Sequence, residues 1–249
     1  MRGMYQAMRD ADKNYDGTLK SASGLVGTDG DKMRIAREEG TLLCGKFIGK
    51  VMEKAIKTAE SNACMKRIVA APTAGSCGVV PAVFLTLQEE KHFTEDKMVE
   101  ALYVAAGIGG VIAERAFLAG AAGGCQAEIG SASAMASGGV AYLMGGDARQ
   151  ISHAAALALK NLLGLACDPV AGLVEVPCVK RNVMGAVNAL TSADMVMAGI
   201  TSKIPPDEVI DAMRSIGRSM SEDIRETGKG GLAGTPTGIE IRDRMAGTI

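Results

Sequence analysis

Tryptophan is absent from this 249-residue chain, and four Tyr and four Phe hold aromatic residues to 3% of the sequence. A β-sandwich, whose strands favour aromatic and β-branched side chains, is a poor fit to that composition. Charge of one sign is missing too. Lys and Arg number 27 against 28 Asp and Glu, with a net charge of −1 and no basic block. That excludes the electrostatic footprint of a nucleic-acid or membrane-surface binder. No long apolar run survives inspection: the most apolar stretch, 101–124, is broken by Glu114-Arg115, so a membrane-spanning helix is not expected. Residues 1–20 are polar and charged and lack the apolar region of a secretory signal.

What is present is a 47% apolar composition with 15 Met and 32 Gly. Core volume must come from Ala, Val, Leu, Ile and Met, with Gly letting helices approach closely, and Ala and Met favour helix. The expected fold class is all-α, a multi-helix bundle with Gly-rich loops around a central metal site. The length suits one large domain, read here as a single helical catalytic domain over 1–249 that lacks an N-terminal segment. Six cysteines without a secretion signal indicate a reducing, cytoplasmic setting, where clustered thiols bind metal or react more often than they pair.

Taken in order, a short helix is expected over 1–11, then a Ser/Gly loop over 21–30 whose amides and hydroxyls suit an anion. Helical spacing predicts helices over 41–61, 80–90, 94–106, 108–120, 126–144, 147–165, 181–200 and 207–219. Gly107, Gly109 and Gly110 divide the fourth from the third, and Thr94 reads as an N-cap. Residues 67–71 form a short extended run into a second small-residue loop, Pro72 to Gly78. A third Gly/Thr loop, Gly228 to Gly238, closes the chain. No internal repeat occurs, and no Gly-Lys-Ser/Thr follows the glycine-rich loops, so none is a Walker A loop.

Cys44 and Cys64 read as small buried residues. Cys77 stands before a helix, where its thiol pKa would fall, but a catalytic cysteine needs a base. The two histidines do not supply one. His92 lies at a charged helix end, and His153 reads as a core or surface histidine within a helix. Cys125, Cys167 and Cys178 stand apart, each in a small-residue or turn context. Cys125 opens a helix, whose dipole would favour its thiolate. Asp168 to Pro177, with two prolines and a glycine, makes a loop that returns Cys178 to Cys167. Three thiolates suit a soft or borderline metal. Chemistry alone leaves zinc with a water, an iron–sulfur cluster with one open iron, and simple buried thiols all open, because the short Cys-x2-Cys runs of common metal sites are missing.

Three strings in fixed order, APTAGSCGVVPAV (71–83), GCQAEIGSASAMA (124–136) and CDPVAGLVEVPCVKRNVMGAVNA (167–189), resemble the iron–sulfur-dependent L-serine dehydratase (L-serine ammonia-lyase) family, in particular its α subunit or α part. The likeness covers about residues 21–238. It implies a [4Fe–4S] cluster on Cys125, Cys167 and Cys178 and a reaction that converts L-serine to pyruvate and ammonia. On that reading Ser23, Gly24, Thr73, Gly75 and Asn182 bind the substrate. Glu128, one helical turn from Cys125, is a candidate catalytic group or a carboxylate supporting the metal.

The family's β part carries a Ser-Ser-Ser-His-Thr type motif that this sequence lacks. A β-subunit partner, a homo-oligomer, or both is therefore expected; the catalytic base is unassigned, and if it is that histidine it comes from the partner. Two rival readings stand beside this one: a cysteine desulfidase on the same scaffold, and a non-enzymatic helical subunit with a structural metal. Pyridoxal-phosphate chemistry is set aside for want of a phosphate cup and α/β alternation.

Overall fold

A computed structural model describes residues 1–247. It is 68% helical, and no strand occurs among the described residues. The all-α expectation holds. The elements are α1 (Arg2–Lys13), α2 (Asp29–Glu38), α3 (Gly45–Ala63), α4 (Val79–Lys91), α5 (Glu95–Arg115), α6 (Gly120–Gly123), α7 (Ser131–Leu143), α8 (Ala148–Lys160), α9 (Cys178–Met197), α10 (Pro206–Ser219) and α11 (Pro236–Ala246). A π-turn, Gln126–Gly130, runs directly into α7. No described helix is long and apolar enough to cross a membrane.

Helix α7 is the axis of the molecule. Its sequence, SASAMASGGVAYL, is buried almost throughout. Small residues on several faces let α4, α5, α8 and α9 pack around it. A Cβ on Gly139 would lie 2.3 Å from the Phe84 ring, and one on Gly138 would lie 2.1 Å from Ile108. The hydroxyls that α7 buries are satisfied by neighbouring helices. Ser133 donates to the Gly185 carbonyl (2.8 Å) and Ser137 to that of Ala154 (3.1 Å).

Several boundaries differ from the sequence reading. Helix α5 is continuous through Gly107, Gly109 and Gly110, where two helices were expected. Glycine costs a helix interior about 1 kcal/mol, but the contact with α7 demands it: a Cβ on Gly109 would lie 2.9 Å from Met135 Sδ. The helix expected over 147–165 ends at Lys160, and α9 begins at Cys178 itself rather than at Arg181. Helix α2 was not expected. It is polar and buries only Gly30, so no apolar period announces it. Helix α11 falls partly where a loop was read, although Thr235-Pro236 is a start signal and Thr235 caps Gly238 N–H at 3.1 Å. Cys44 is exposed and Cys64 partly so, against the expectation that both are buried. They stand at the two ends of α3 instead of on its inner face. Cys77, in the loop before α4, is buried.

The first Ser/Gly loop does cradle an anion, and the anion belongs to the chain. The Glu60 carboxylate, 1% exposed, accepts the N–H groups of Gly27 (3.1 Å), Asp29 (3.0 Å) and Gly30 (3.1 Å) and the Tyr15 hydroxyl (2.6 Å). Glu60 thereby caps α2 from another helix. Glu60→Gln, which turns one acceptor oxygen into a donor facing donors, should cost about 3 kcal/mol of stability. The urea midpoint checks this, and an unchanged midpoint would refute the cradle.

Candidate functional site

The three cysteines singled out by the sequence are free, buried and close enough to interact electrostatically with one another. Each arrives by a different local device. Cys125 follows Gly124, whose φ of +77° is one that side chains rarely adopt. A Cβ there would also meet the Leu165 carbonyl oxygen at 2.8 Å. The next residue, Gln126, ties this turn to the 164–165 segment. Its backbone N–H donates to the Leu165 carbonyl (3.1 Å), and its side-chain oxygen accepts from Gly164 N–H (2.9 Å).

Cys167 is fixed by a parallel bridge with Arg225. Its N–H donates to the Ile224 carbonyl (2.8 Å), and its carbonyl accepts from Glu226 N–H (2.7 Å). The adjoining Asp168 forms an ion pair with Arg181 (2.9 Å) and accepts Leu232 N–H (2.8 Å), which docks the third Gly-rich loop. Cys178 opens α9. Its carbonyl accepts from Asn182 Nδ2 (2.9 Å), which also donates to the Gly75 carbonyl (2.9 Å), while Asn182 Oδ1 accepts Gly78 N–H (2.8 Å). Asn182 thus stitches the Pro72–Gly78 loop to a cysteine.

Glu128 stands among these groups. Thr73 Oγ1 donates to its Oε1 (2.6 Å), and Cys167 Sγ lies 3.8 Å from its Oε2. A Cβ on Gly75 would be 3.1 Å from Glu128 Oε1. One on Gly120 would be 2.8 Å from both Cys167 Sγ and Glu128 Oε2. Both glycines therefore wall the site closely, and a side chain at Gly120 would have to displace Cys167 or Glu128. Glu226, which the sequence reading missed, brings a second carboxylate. One ligand atom each from Glu128, Cys167 and Glu226 lies within 4.8 Å of the others.

Of the expected substrate-binding residues, Thr73 and Gly75 lie against Glu128, and Asn182 lies behind the loop that carries them. Ser23 donates to Glu175, as does Ser21 (2.8 Å), so the first loop is tied to the segment between Cys167 and Cys178. Gly24 sits in the turn beside Ser23 at φ +75°. Among the described residues no hydrogen bond joins Ser23 or Gly24 to Glu128 or to the thiols. His92 is exposed at the end of α4, and His153, within α8, accepts Ser202 N–H (3.2 Å).

Burial sets the electrostatics. It pushes Cys125 up to about 11, partly offset by the Arg181 guanidinium, and Cys178 up to about 12, with Cys125 and Glu128 adding to the rise. Cys167 is pushed up by burial and then by Cys125, Glu128 and Cys178. Burial opposes the lowering that a helix start would give Cys125, whose helix opens only with a short π-turn. Glu128 is raised as well, by burial first. The Thr73 hydrogen bond opposes that shift and the Glu226 charge reinforces it.

Fold and site together define an all-α protein with an internal centre of three thiols and adjoining carboxylates. The family is given by comparison of sequences. The family model described as "Serine dehydratase alpha chain" matches residues 1–233, and the chain belongs to that family. It is 52% identical over 229 residues to a Bacillus subtilis protein named "Probable L-serine dehydratase, alpha chain", covering 92% of this chain and 76% of that one. A Latilactobacillus sakei protein of the same name is 54% identical over 198 residues, which is 80% of this chain and 95% of the relative. The "L-serine dehydratase" of Mycobacterium bovis is 43% identical over 187 residues, but this chain spans only 40% of its length.

Proposed function

We propose that this chain is the cluster-binding subunit of an L-serine ammonia-lyase, which dehydrates L-serine and releases pyruvate and ammonia. The observation that carries the reading is the convergence of Cys125, Cys167 and Cys178, all buried and unpaired, around Glu128 in a chain of this family. The substrate comes from the names of the relatives.

The donor set fits a [4Fe–4S] cluster. Three buried thiols whose pKa values all rise are unfavourable hosts for bare thiolate charge, and metal binding compensates that charge directly. Cys125, Cys167 and Cys178 would hold the cluster. Its chemistry when bound is that of a Lewis acid, with one iron left free of protein ligands for the substrate hydroxyl.

The chain's own residues supply the rest. Burial keeps the Glu128 carboxyl disposed to carry a proton. Thr73 donates to Oε1, which leaves Oε2, on the side of Cys167, as the oxygen free for proton transfer. From there the proton can pass to the departing hydroxyl, which leaves as water. Thr73 and the backbone at Gly75, which lie against Glu128, would receive the substrate's polar groups. Asn182 acts by holding the Gly75 loop, and Ser23 with Gly24 by closing the first loop over Glu175. Removal of the α-proton needs a base, and neither His92 nor His153 is joined to the site. The base is therefore assigned to a β partner. The 2-aminoacrylate left by loss of water tautomerises and hydrolyses to pyruvate and ammonia without further catalysis.

The test is pyruvate formation by the anaerobically reconstituted chain together with its β partner. L-Serine should be turned over in preference to L-cysteine, and Glu128→Gln should lower kcat by about 10²-fold or more. Absence of pyruvate under strict anaerobiosis would overturn the reading, and faster release of sulfide from L-cysteine would favour the desulfidase. A second reading rests on the Glu128, Cys167 and Glu226 group, a mixed set suited to one zinc ion. Stoichiometric zinc in place of iron would identify it.

A further inference from the structure

Glu226 stands out for the backbone it occupies. Its φ is +65°, in the left-handed region that Gly, Asn and Asp enter far more readily than Glu. Nothing in its local hydrogen bonding calls for a glutamate. The contacts that pin the segment to Cys167 are backbone contacts, on either side of Arg225. The side chain is exposed, yet its carboxylate reaches within 4.8 Å of both Cys167 Sγ and a Glu128 oxygen. A costly conformation is thus held at the rim of the site by a residue whose carboxylate points inward, and strain of this kind concentrates where a side chain is used.

The two carboxylates differ in kind. Glu128 is buried and already accepts from Thr73, whereas Glu226 meets solvent and makes no side-chain hydrogen bond of its own within the loop. A cation received by the exposed Glu226 carboxylate offsets its charge beside Cys167 and Glu128. An amino-acid substrate brings such a cation in its ammonium group, with three donors for the surrounding oxygens. We propose that Glu226 is a specificity-determining residue whose carboxylate receives the substrate's ammonium group and so selects amino acids over hydroxy acids of the same skeleton. This assignment rests on the reading of the site as an L-serine site.

The experiment measures ligand-induced change in the spectrum of the reconstituted protein with its β partner, titrated with L-serine and with 3-hydroxypropanoate, which keeps the carboxylate and hydroxyl but lacks the amine. Glu226→Gln should weaken L-serine about tenfold or more, the size of one charge-assisted hydrogen bond. Binding of 3-hydroxypropanoate should change less than about twofold, since its contacts are untouched. Glu226→Asn should lose L-serine affinity in the same way while melting about 2 °C higher, because Asn accepts the left-handed conformation. A residue with only a structural role would show lower melting temperatures and equal loss of both ligands, which would overturn the proposal. Unchanged L-serine affinity in Glu226→Gln overturns the assignment alone. A wild-type protein that responds to neither ligand overturns the serine reading and the assignment together.

Discussion

Cys167→Ser should strip the anaerobically reconstituted chain of its iron, from about four atoms per chain to near background, while Cys44→Ser leaves the iron content unchanged. The contrast follows from position. Cys167 is buried, interacts with Cys125 and Cys178, and lies 3.8 Å from Glu128 Oε2. Cys44 is exposed at the start of α3. Serine keeps the shape of cysteine but offers a hard, protonated oxygen where a soft thiolate is needed. Cys125→Ser and Cys178→Ser should behave alike, since two remaining thiols do not hold the cluster. Iron and acid-labile sulfide counts, with circular dichroism to confirm folding, check the series. Retention of iron in any of the three variants would remove that residue from the ligand set.

Arg181→Met should destabilise the chain by about 3–5 kcal/mol, the usual cost of leaving a buried charge without its partner. Its guanidinium pairs with Asp168, donates to the Ala166 carbonyl (2.7 Å) and lies against Cys125. The pair is well shielded, with side-chain exposures of 15% for Arg181 and 7% for Asp168. Asp168 in turn holds Leu232 N–H, so the loss should spread into the third Gly-rich loop. The double variant Arg181→Met, Asp168→Asn should recover a large part of the loss, because no charge is then left buried alone. A double variant as unstable as the sum of the singles would show that the two residues act independently.

Much of this organisation is legible in the residues themselves. Scarce aromatics and abundant small apolar residues announced packed helices. The turn residues around Cys125, Cys167 and Cys178 marked them off from Cys44 and Cys64, whereas Cys77 stands in a small-residue loop of its own and is set aside for want of a base. Other features are hidden for physical reasons. Helix α2 has no apolar stripe and is capped by Glu60 from α3, so neither its period nor its own residues show where it starts. Helix α5 runs on through three glycines, of which Gly109 packs against Met135 of α7, a tertiary contact that local propensity does not show. Arg181 and Asp168 stand inside the string that carries the resemblance, but their pairing is a matter of folded geometry. Glu226 had no signal, since its carboxylate reaches Cys167 only through a backbone bridge and a left-handed turn. The anion-cradling character of the 21–30 loop was legible, but that Glu60 of the same chain fills the cradle is a matter of folded geometry.

The most direct test of the central claim is electron spin resonance of the anaerobically reconstituted and reduced protein, with and without L-serine. An open iron beside Glu128 predicts a cluster signal that shifts with L-serine and stays unchanged with L-alanine, which lacks the hydroxyl. A cluster signal indifferent to saturating L-serine, or stoichiometric zinc with no iron signal, would contradict it.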